Sequence, residues 1–163
     1  MDNYERALGI MAQTPAVLDA LFATAPEAAL RERPAPEEWS PYEVLAHMRA
    51  VNDLISKRIA LMLEEDNPEF PRPTPPPPLD SVAALLADWR ATRAQHLAWL
   101  RDLTPAQLAR TGRSARFGQM TAREHIIEWA YHDLDHTRQI LAALQGVLYA
   151  DIPAFHTLYP SPV

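Results

Sequence analysis

Two histidines four positions apart are the clearest sign of chemistry in this sequence. His132 and His136 lie one turn apart on a predicted helix, so both imidazoles point the same way and can share one metal ion. The alternative is that both histidines are partly exposed and bond to a nearby carboxylate, that of Asp133, Asp135 or Glu128. His47, in an earlier apolar segment, borders the buried stripe of its own predicted helix. We expect these three imidazoles to face one interior, where they could bind a divalent ion and leave coordination positions open.

Two glutamates lie one turn before these histidines and are candidates for proton transfer. Glu43 precedes His47, and Glu128 precedes His132, each by four residues. Both could instead be surface charges, and Glu43 also fits a helix cap. His125 lies about 10 Å along the helix from His132, too far to share its ion. We expect His125 to bond to a backbone carbonyl or to line the mouth of a pocket.

The remaining candidate residues are weaker. His96 lies on an apolar helix face and is expected to be a hydrogen-bonded core histidine. His156 is expected to be exposed in the C-terminal tail. The glycine-containing loop 111–120 precedes the helix with the paired histidines. It could cover the site, with Arg113 or Arg116 reaching an anionic substrate, or it could be a solvated connector.

The composition excludes several classes of function. The chain has 163 residues, no cysteine, and a net charge of −6. The absence of cysteine excludes disulfides, thiolate catalysis and cysteine-ligated metals. The acidic balance disfavours binding to nucleic acid or anionic membranes. No signal-peptide pattern and no apolar run of about 18 residues is visible, so we predict a cytoplasmic protein.

Proline positions divide the sequence into helices. Because an interior proline costs a helix about 3 kcal/mol, the long proline-free stretches are where helices can run. These stretches are 42–67, 79–104 and 106–152. Helix caps are predicted at Ser40, Thr104 and Thr121, a helix is predicted to start near Asp80-Ser81, and Gly146 is predicted to end the last helix. A further helix is predicted over 3–24, where Pro15 could introduce a kink.

These elements predict an all-α, four-helix bundle that forms a single domain over 1–163. No alternating strand pattern of useful length is visible. The linker 65–79 contains four consecutive prolines and predicts a polyproline crossover along the outside, which lets the second and third helices run parallel. A disordered hinge between two domains is the alternative, but neither half could bury a core alone.

Two segments resemble the DinB-like superfamily, which includes YfiT-like thiol S-transferases and metal-dependent hydrolases. They are WSPYEVLAH at 39–47 and HDLDH at 132–136, the latter preceded by the cap Thr121-x-x-Glu124. The resemblance implies a four-helix bundle in which His47, His132 and His136 bind a divalent metal. Members often have another histidine where this chain has Glu128. An all-imidazole site suits zinc or nickel first, with iron or manganese as alternatives.

The leading hypothesis is a metal-dependent enzyme that acts on a small molecule. The resemblance implies hydrolysis or thiol transfer, and any low-molecular-weight thiol must come from a cosubstrate because the chain has no cysteine. One alternative is an HD-type phosphohydrolase with His132 and Asp133 at its centre and His47 and Asp151 as outer members. The other is a non-catalytic metal-binding or dimerisation bundle. We expect a homodimer, with the tryptophans in the core and at the interface.

Overall fold

Four long helices dominate the structure, a computed structural model that describes residues 2–72 and 81–162. They pack as the predicted four-helix bundle, with two short helices and a small two-stranded sheet between them. In chain order the elements are α1 (Asn3–Phe22), α2 (Glu27–Leu30), α3 (Pro41–Glu64), α4 (Val82–Leu100), α5 (Pro105–Leu108), β1 (Thr111–Ser114), β2 (Gly118–Thr121), α6 (Ala122–Tyr149) and a 3-10 helix (Pro153–Phe155).

The predicted caps fix where the helices begin. Ser40, Thr104 and Thr121 each form a capping box, in which the cap side chain and the residue three positions later satisfy each other's backbone N–H groups. Ser81 accepts a hydrogen bond from the Ala84 backbone at the start of α4. Helix α1 continues through Pro15.

Side-chain contacts between the helices show their relative directions. Residues later in α3 contact residues later in α4, so these consecutive helices run parallel, as predicted. Residues later in α4 contact residues earlier in α6, so α6 is antiparallel to α4. The contacts are Arg49–Asp88 and Asn52–Thr92 for the first pair, and Arg93–Asp133 and His96–Trp129 for the second.

The segment after α3 lies beside the β-hairpin. The Arg113 backbone donates to the Pro68 carbonyl at 2.7 Å and accepts from the Phe70 N–H at 2.8 Å, so Glu69 forms a parallel bridge with this strand. The start of the crossover, residues 68–70, is therefore hydrogen-bonded to β1 as a third extended segment beside the two strands of the hairpin. The predicted polyproline strap at Pro75–Pro78 lies outside the described residues.

Two expectations about secondary structure are wrong. Residues 111–121 form an antiparallel hairpin, which was not predicted because strands of four residues show no useful alternation. Gly118 in this hairpin has φ +78°, a conformation that glycine adopts without strain. Gly146 does not end α6, which continues to Tyr149. A single glycine costs a helix only about 1 kcal/mol, and no proline follows until Pro153.

The core contains two apolar clusters along the bundle axis. One includes Met11, Ile59 and Trp129, and the other includes Leu18 and Trp89, all of them fully buried. Both clusters take residues from α1, α3, α4 and α6, so the core depends on all four long helices. Among the described residues, no helix combines the length and apolar character needed to cross a bilayer.

Candidate metal centre

His47, His132 and His136 converge between α3 and α6. One ring nitrogen from each lies within 4.8 Å of the other two, and the Nε2 atoms of His47 and His132 are 3.1 Å apart. The ring centroids are separated by 4.3 to 5.1 Å. Because α3 and α6 face each other here, helix packing brings together histidines that are 85 residues apart in sequence.

The surroundings of these rings suit metal ligation. All three are half-buried. Burial lowers the pKa of His132 to about 4 and also lowers the pKa of His47, with the charge of His136 adding to both effects. Both imidazoles are therefore neutral near pH 7, the state in which they bind metals. His136 Nδ1 is 3.0 Å from Gln139 Oε1, which leaves its Nε2 for an ion. The donor set fits a divalent ion that prefers nitrogen ligands.

Trp39 covers the outer side of this cluster. Its ring centroid lies 5.1 Å from that of His47 and 6.4 Å from that of His136, nearly parallel to the latter. Trp39 is 39% exposed, so it contacts solvent as well as the two histidines. The capping box at Ser40, the next residue, fixes the backbone that positions it.

Glu43 caps α3 and pairs with Arg33, and it does not join the histidine cluster. Its carboxylate accepts from the Ser40 backbone at 2.9 Å and pairs with Arg33. The Arg33 and Ser40 hydrogen bonds lower the pKa of Glu43 to about 2. It is not part of the three-histidine group.

Glu128 lies near the histidine cluster and bonds to His125. The distance from Glu128 Oε2 to His125 Nδ1 is 3.3 Å. Partial burial raises the pKa of Glu128, but the hydrogen bond with His125, together with the electrostatic effects of the nearby histidines and Arg58, outweighs it and leaves the pKa below its ordinary value. The carboxylate is therefore ionised near neutral pH. His125 lines a pocket, which is one of the two roles expected for it. The partner of its Nδ1 is Glu128 rather than a backbone carbonyl.

Asp133 forms a buried ion pair with Arg93 inside the bundle. Its carboxylate accepts two hydrogen bonds from Arg93, and both side chains are 1% exposed. Arg93 also donates to Asn52 at 2.9 Å and contacts the Trp89 and Trp129 rings, one from each core cluster. Asp133 is thus not part of the histidine group, which removes the central carboxylate that the HD-type hypothesis requires.

The remaining histidines lie away from the cluster. His96 is half-buried against Trp129, but its Nδ1 is buried without a hydrogen-bond partner among the described residues, so it is not the hydrogen-bonded core histidine expected. His156 is exposed, as expected, and stacks on Tyr149.

A cavity of about 770 Å³ opens beside the cluster. His47 and His132 form part of its wall, and α3, the segment after α3, the hairpin and α6 supply the rest. Arg116 lines the cavity from the hairpin, whereas Arg113 does not. The hairpin thus covers one side of the site, as one of the two interpretations of loop 111–120 predicted.

Sequence reasoning missed two residues of this cavity. Arg58 lies over the Phe70 ring, 5.0 Å from its centroid, and both residues line the wall. Phe70 follows α3 in a segment read as linker, and Arg58 lies one position before the buried Ile59 without any motif around it. No local signal identifies either as a site residue.

Comparison with known proteins gives a consistent family and fold. The model of the DinB superfamily matches residues 10–140. The structure resembles "YfiT from Bacillus subtilis", described as "a probable metal-dependent hydrolase with an unusual four-helix bundle topology", with a TM-score of 0.75 and 17% identity over 87% of this chain and 86% of that one. It also resembles TT2238, "a four-helix bundle protein", with a TM-score of 0.66 and 22% identity over 85% and 98% of the two chains. None of the curated proteins compared with it matches. The chain belongs to the DinB superfamily.

Proposed function

We propose that the protein is a metal-dependent enzyme that acts on a small molecule at His47, His132 and His136. The observation that supports this most directly is the convergence of three imidazole nitrogens within 4.8 Å at the wall of a large cavity. Membership of the DinB superfamily and the description of YfiT as a probable metal-dependent hydrolase add to it. Zinc or nickel is the preferred ion for three imidazoles, with iron or manganese as alternatives.

The residues around the cluster have distinct proposed roles. The three imidazoles would hold the ion, and the chemistry that it would supply there is activation of a water molecule or a thiol as a nucleophile. Glu128 accepts a proton from the nucleophile, because its ionised carboxylate lines the same cavity. His125 holds the Glu128 carboxylate in position through Nδ1. Glu43 has no part in this mechanism, since it pairs with Arg33.

Metal analysis of the purified protein tests the site. We expect the wild-type chain to bind a single divalent ion, and His47→Ala, His132→Ala and His136→Ala each to lower the bound metal by at least about tenfold. Binding of Ni²⁺ should also quench the fluorescence of Trp39, which contacts two of the ligands. His156→Ala, which changes an exposed histidine, is the matched control. Unchanged metal content in the three variants would show that the site is wrong.

Activity assays separate the two reactions. A hydrolase cleaves small esters or amides without added thiol, whereas a transferase consumes a low-molecular-weight thiol in proportion to an electrophile such as a chloro-aromatic compound. In either case we expect metal removal to abolish turnover, and Glu128→Gln to lower kcat by about a hundredfold or more while metal content stays unchanged. A protein that retains the metal but shows no turnover in either assay supports a non-catalytic metal-binding bundle.

A further inference from the structure

The cavity beside the histidine cluster has an apolar wall. Val51, Leu54 and Ile55 from α3, Phe70 from the following segment and Met120 from the hairpin line it. This wall continues to His47 and His132, so an apolar molecule in the cavity would reach the candidate metal centre. A volume of about 770 Å³ is within the usual range for small-molecule sites.

Two polar atoms in this wall are buried without partners. His125 is 6% exposed and lines the cavity, and within residues 2–72 and 81–162 its Nε2 has no hydrogen-bond partner. Arg58 also lines the cavity, and its Nε is buried without a hydrogen-bond partner in the described part of the chain. Both side chains contact Phe70, with the Arg58 guanidinium 5.0 Å and the His125 ring 6.1 Å from its ring centroid. Unpaired buried polar atoms are costly, so a ligand that pairs with them gains affinity.

The charges around the cavity favour an anion. Arg58, Arg72 and Arg116 line it, against Glu124 and Glu128. Glu124 is held by the capping box of α6, and Glu128 is bonded to His125. The cavity therefore has an excess of permanent positive charge in a chain whose net charge is −6.

Glu128 leaves one ring nitrogen of His125 for a ligand. Glu128 Oε2 lies 3.3 Å from the Nδ1 of His125, so Nε2 is the ring nitrogen without a partner in the described part of the chain. The wall thus presents a cationic donor at Arg58 and an unpaired ring nitrogen at His125. A ligand that pairs with both has an anionic group and a separate hydroxyl, which can either donate or accept a hydrogen bond.

We propose that this cavity binds an apolar carboxylate bearing a hydroxyl group. Its carboxylate accepts from Arg58, its hydroxyl pairs with the Nε2 of His125, and its hydrocarbon body lies on the wall formed by Ile55, Phe70 and Met120. His125 and His132 are about 10 Å apart along α6, so the polar end lies roughly that far from the metal centre. The role of this molecule as substrate rests on the proposed function, whereas its binding does not.

Calorimetric titration of the metal-free protein with simple acids tests the proposal. The probes are octanoate, β-hydroxyoctanoate, octanol and acetate. We expect β-hydroxyoctanoate to bind more tightly than octanoate, and octanol and acetate to bind at least about tenfold more weakly than either acid. Equal affinity for octanol and octanoate would overturn the proposal, because an apolar cavity alone explains that result.

Variants assign the two polar contacts. Arg58→Met should weaken binding of both acids by about tenfold or more, and Arg58→Gln tests the same charge loss if the first variant does not fold. His125→Phe keeps an aromatic ring against Phe70 and should remove the advantage of β-hydroxyoctanoate over octanoate. Arg113→Met is the matched control, since Arg113 lies on β1 beside the cavity-lining Ser114 but does not itself line the cavity.

The outcomes separate this proposal from the proposed function. The assigned contacts are contradicted if Arg58→Met binds octanoate as tightly as wild type does. They are also contradicted if His125→Phe still binds β-hydroxyoctanoate more tightly than octanoate. Because the titrations use metal-free protein, their failure does not bear on metal content or turnover. A protein that binds the acids but never binds metal would overturn the proposed function and leave this site intact.

Discussion

His96 shows how burial of one titratable group makes stability depend on pH. It is half-buried beside Trp129, and burial together with the charge of Arg93 lowers its pKa to about 4, against a weaker opposing effect of Asp53. The unfolded chain takes up this proton near pH 6.5, above the pKa of the folded state. The contribution of His96 to stability is therefore complete above pH 6.5 and is lost as the pH falls towards 4.

Replacement of His96 should weaken this pH dependence. Between pH 7.5 and pH 5, we expect His96→Phe to lose about 1–2 kcal/mol less unfolding free energy than wild type, measured by urea denaturation of metal-free protein. His156→Phe changes an exposed histidine and serves as the control. The same loss of stability in wild type and His96→Phe would contradict the assignment. His132, with a pKa of about 4, contributes in the same direction and remains in both proteins.

The buried pair of Arg93 and Asp133 should be sensitive to loss of one partner. Arg93→Met leaves an uncompensated carboxylate between the two core clusters, so we expect a loss of about 3–5 kcal/mol in the free energy of unfolding. The double variant Arg93→Met/Asp133→Leu should recover much of this loss, because no buried charge remains. The exposed pair Arg138–Asp135 is the matched control, and Arg138→Met should cost less than about 1 kcal/mol.

At the scale of elements, the hairpin depends on a glycine that allows close packing. A Cβ at Gly112 would lie 2.5 Å from the Phe70 ring and 3.0 Å from Met62 Cγ. Strand β1 therefore approaches the end of α3 and the segment after it only because residue 112 has no side chain. The Phe70 ring that lies so close to residue 112 also lines the cavity.

Gly112→Ala should displace Phe70 and destabilise the protein. We expect a cost of about 1–3 kcal/mol, measured by urea denaturation, and weaker binding of octanoate because the cavity wall moves. Gly9→Ala is the control, because a Cβ there has no atom within 4 Å and the residue lies inside α1. That substitution should stabilise the protein by about 0.5–1 kcal/mol. An unperturbed Gly112→Ala protein would show that the contact is looser than described.

At the scale of the whole molecule, an exposed apolar stripe on α6 fits the predicted homodimer. Leu134, Leu141 and Leu148 are 51%, 42% and 67% exposed and recur every seven residues, the spacing typical of helix pairs. Trp89 and Trp129 are fully buried, so the predicted role of tryptophans at an interface does not extend to them.

We predict that the isolated protein is a dimer whose subunits meet through this stripe. Leu134→Glu and Leu141→Glu should each shift the mass measured by light scattering from dimer to monomer at micromolar concentration. Leu158→Glu, which changes an exposed leucine outside α6, is the control. A wild-type protein that is monomeric at these concentrations, or variants that remain dimeric, would contradict the prediction.

The sequence by itself determined where the long helices begin and which histidines converge. Caps such as Ser40 and Thr121 act on backbone groups within four residues, and a helix forbids interior prolines for equally local reasons. The spacing of His132 and His136 fixes their common direction once the helix forms. The apolar stripe that His47 borders then turns it towards the same interior.

Only the tertiary structure decided which groups these elements bring together. Arg93 lies between Trp89 and Leu97 on an apolar helix face, which is a local signal of a buried charge, but its partner Asp133 depends on how α4 and α6 pack. Arg58 and His125 become a possible ligand site only because Phe70, from the segment after α3, packs between the hairpin and the bundle. Such contacts depend on long-range packing, which helix periodicity and capping patterns do not encode.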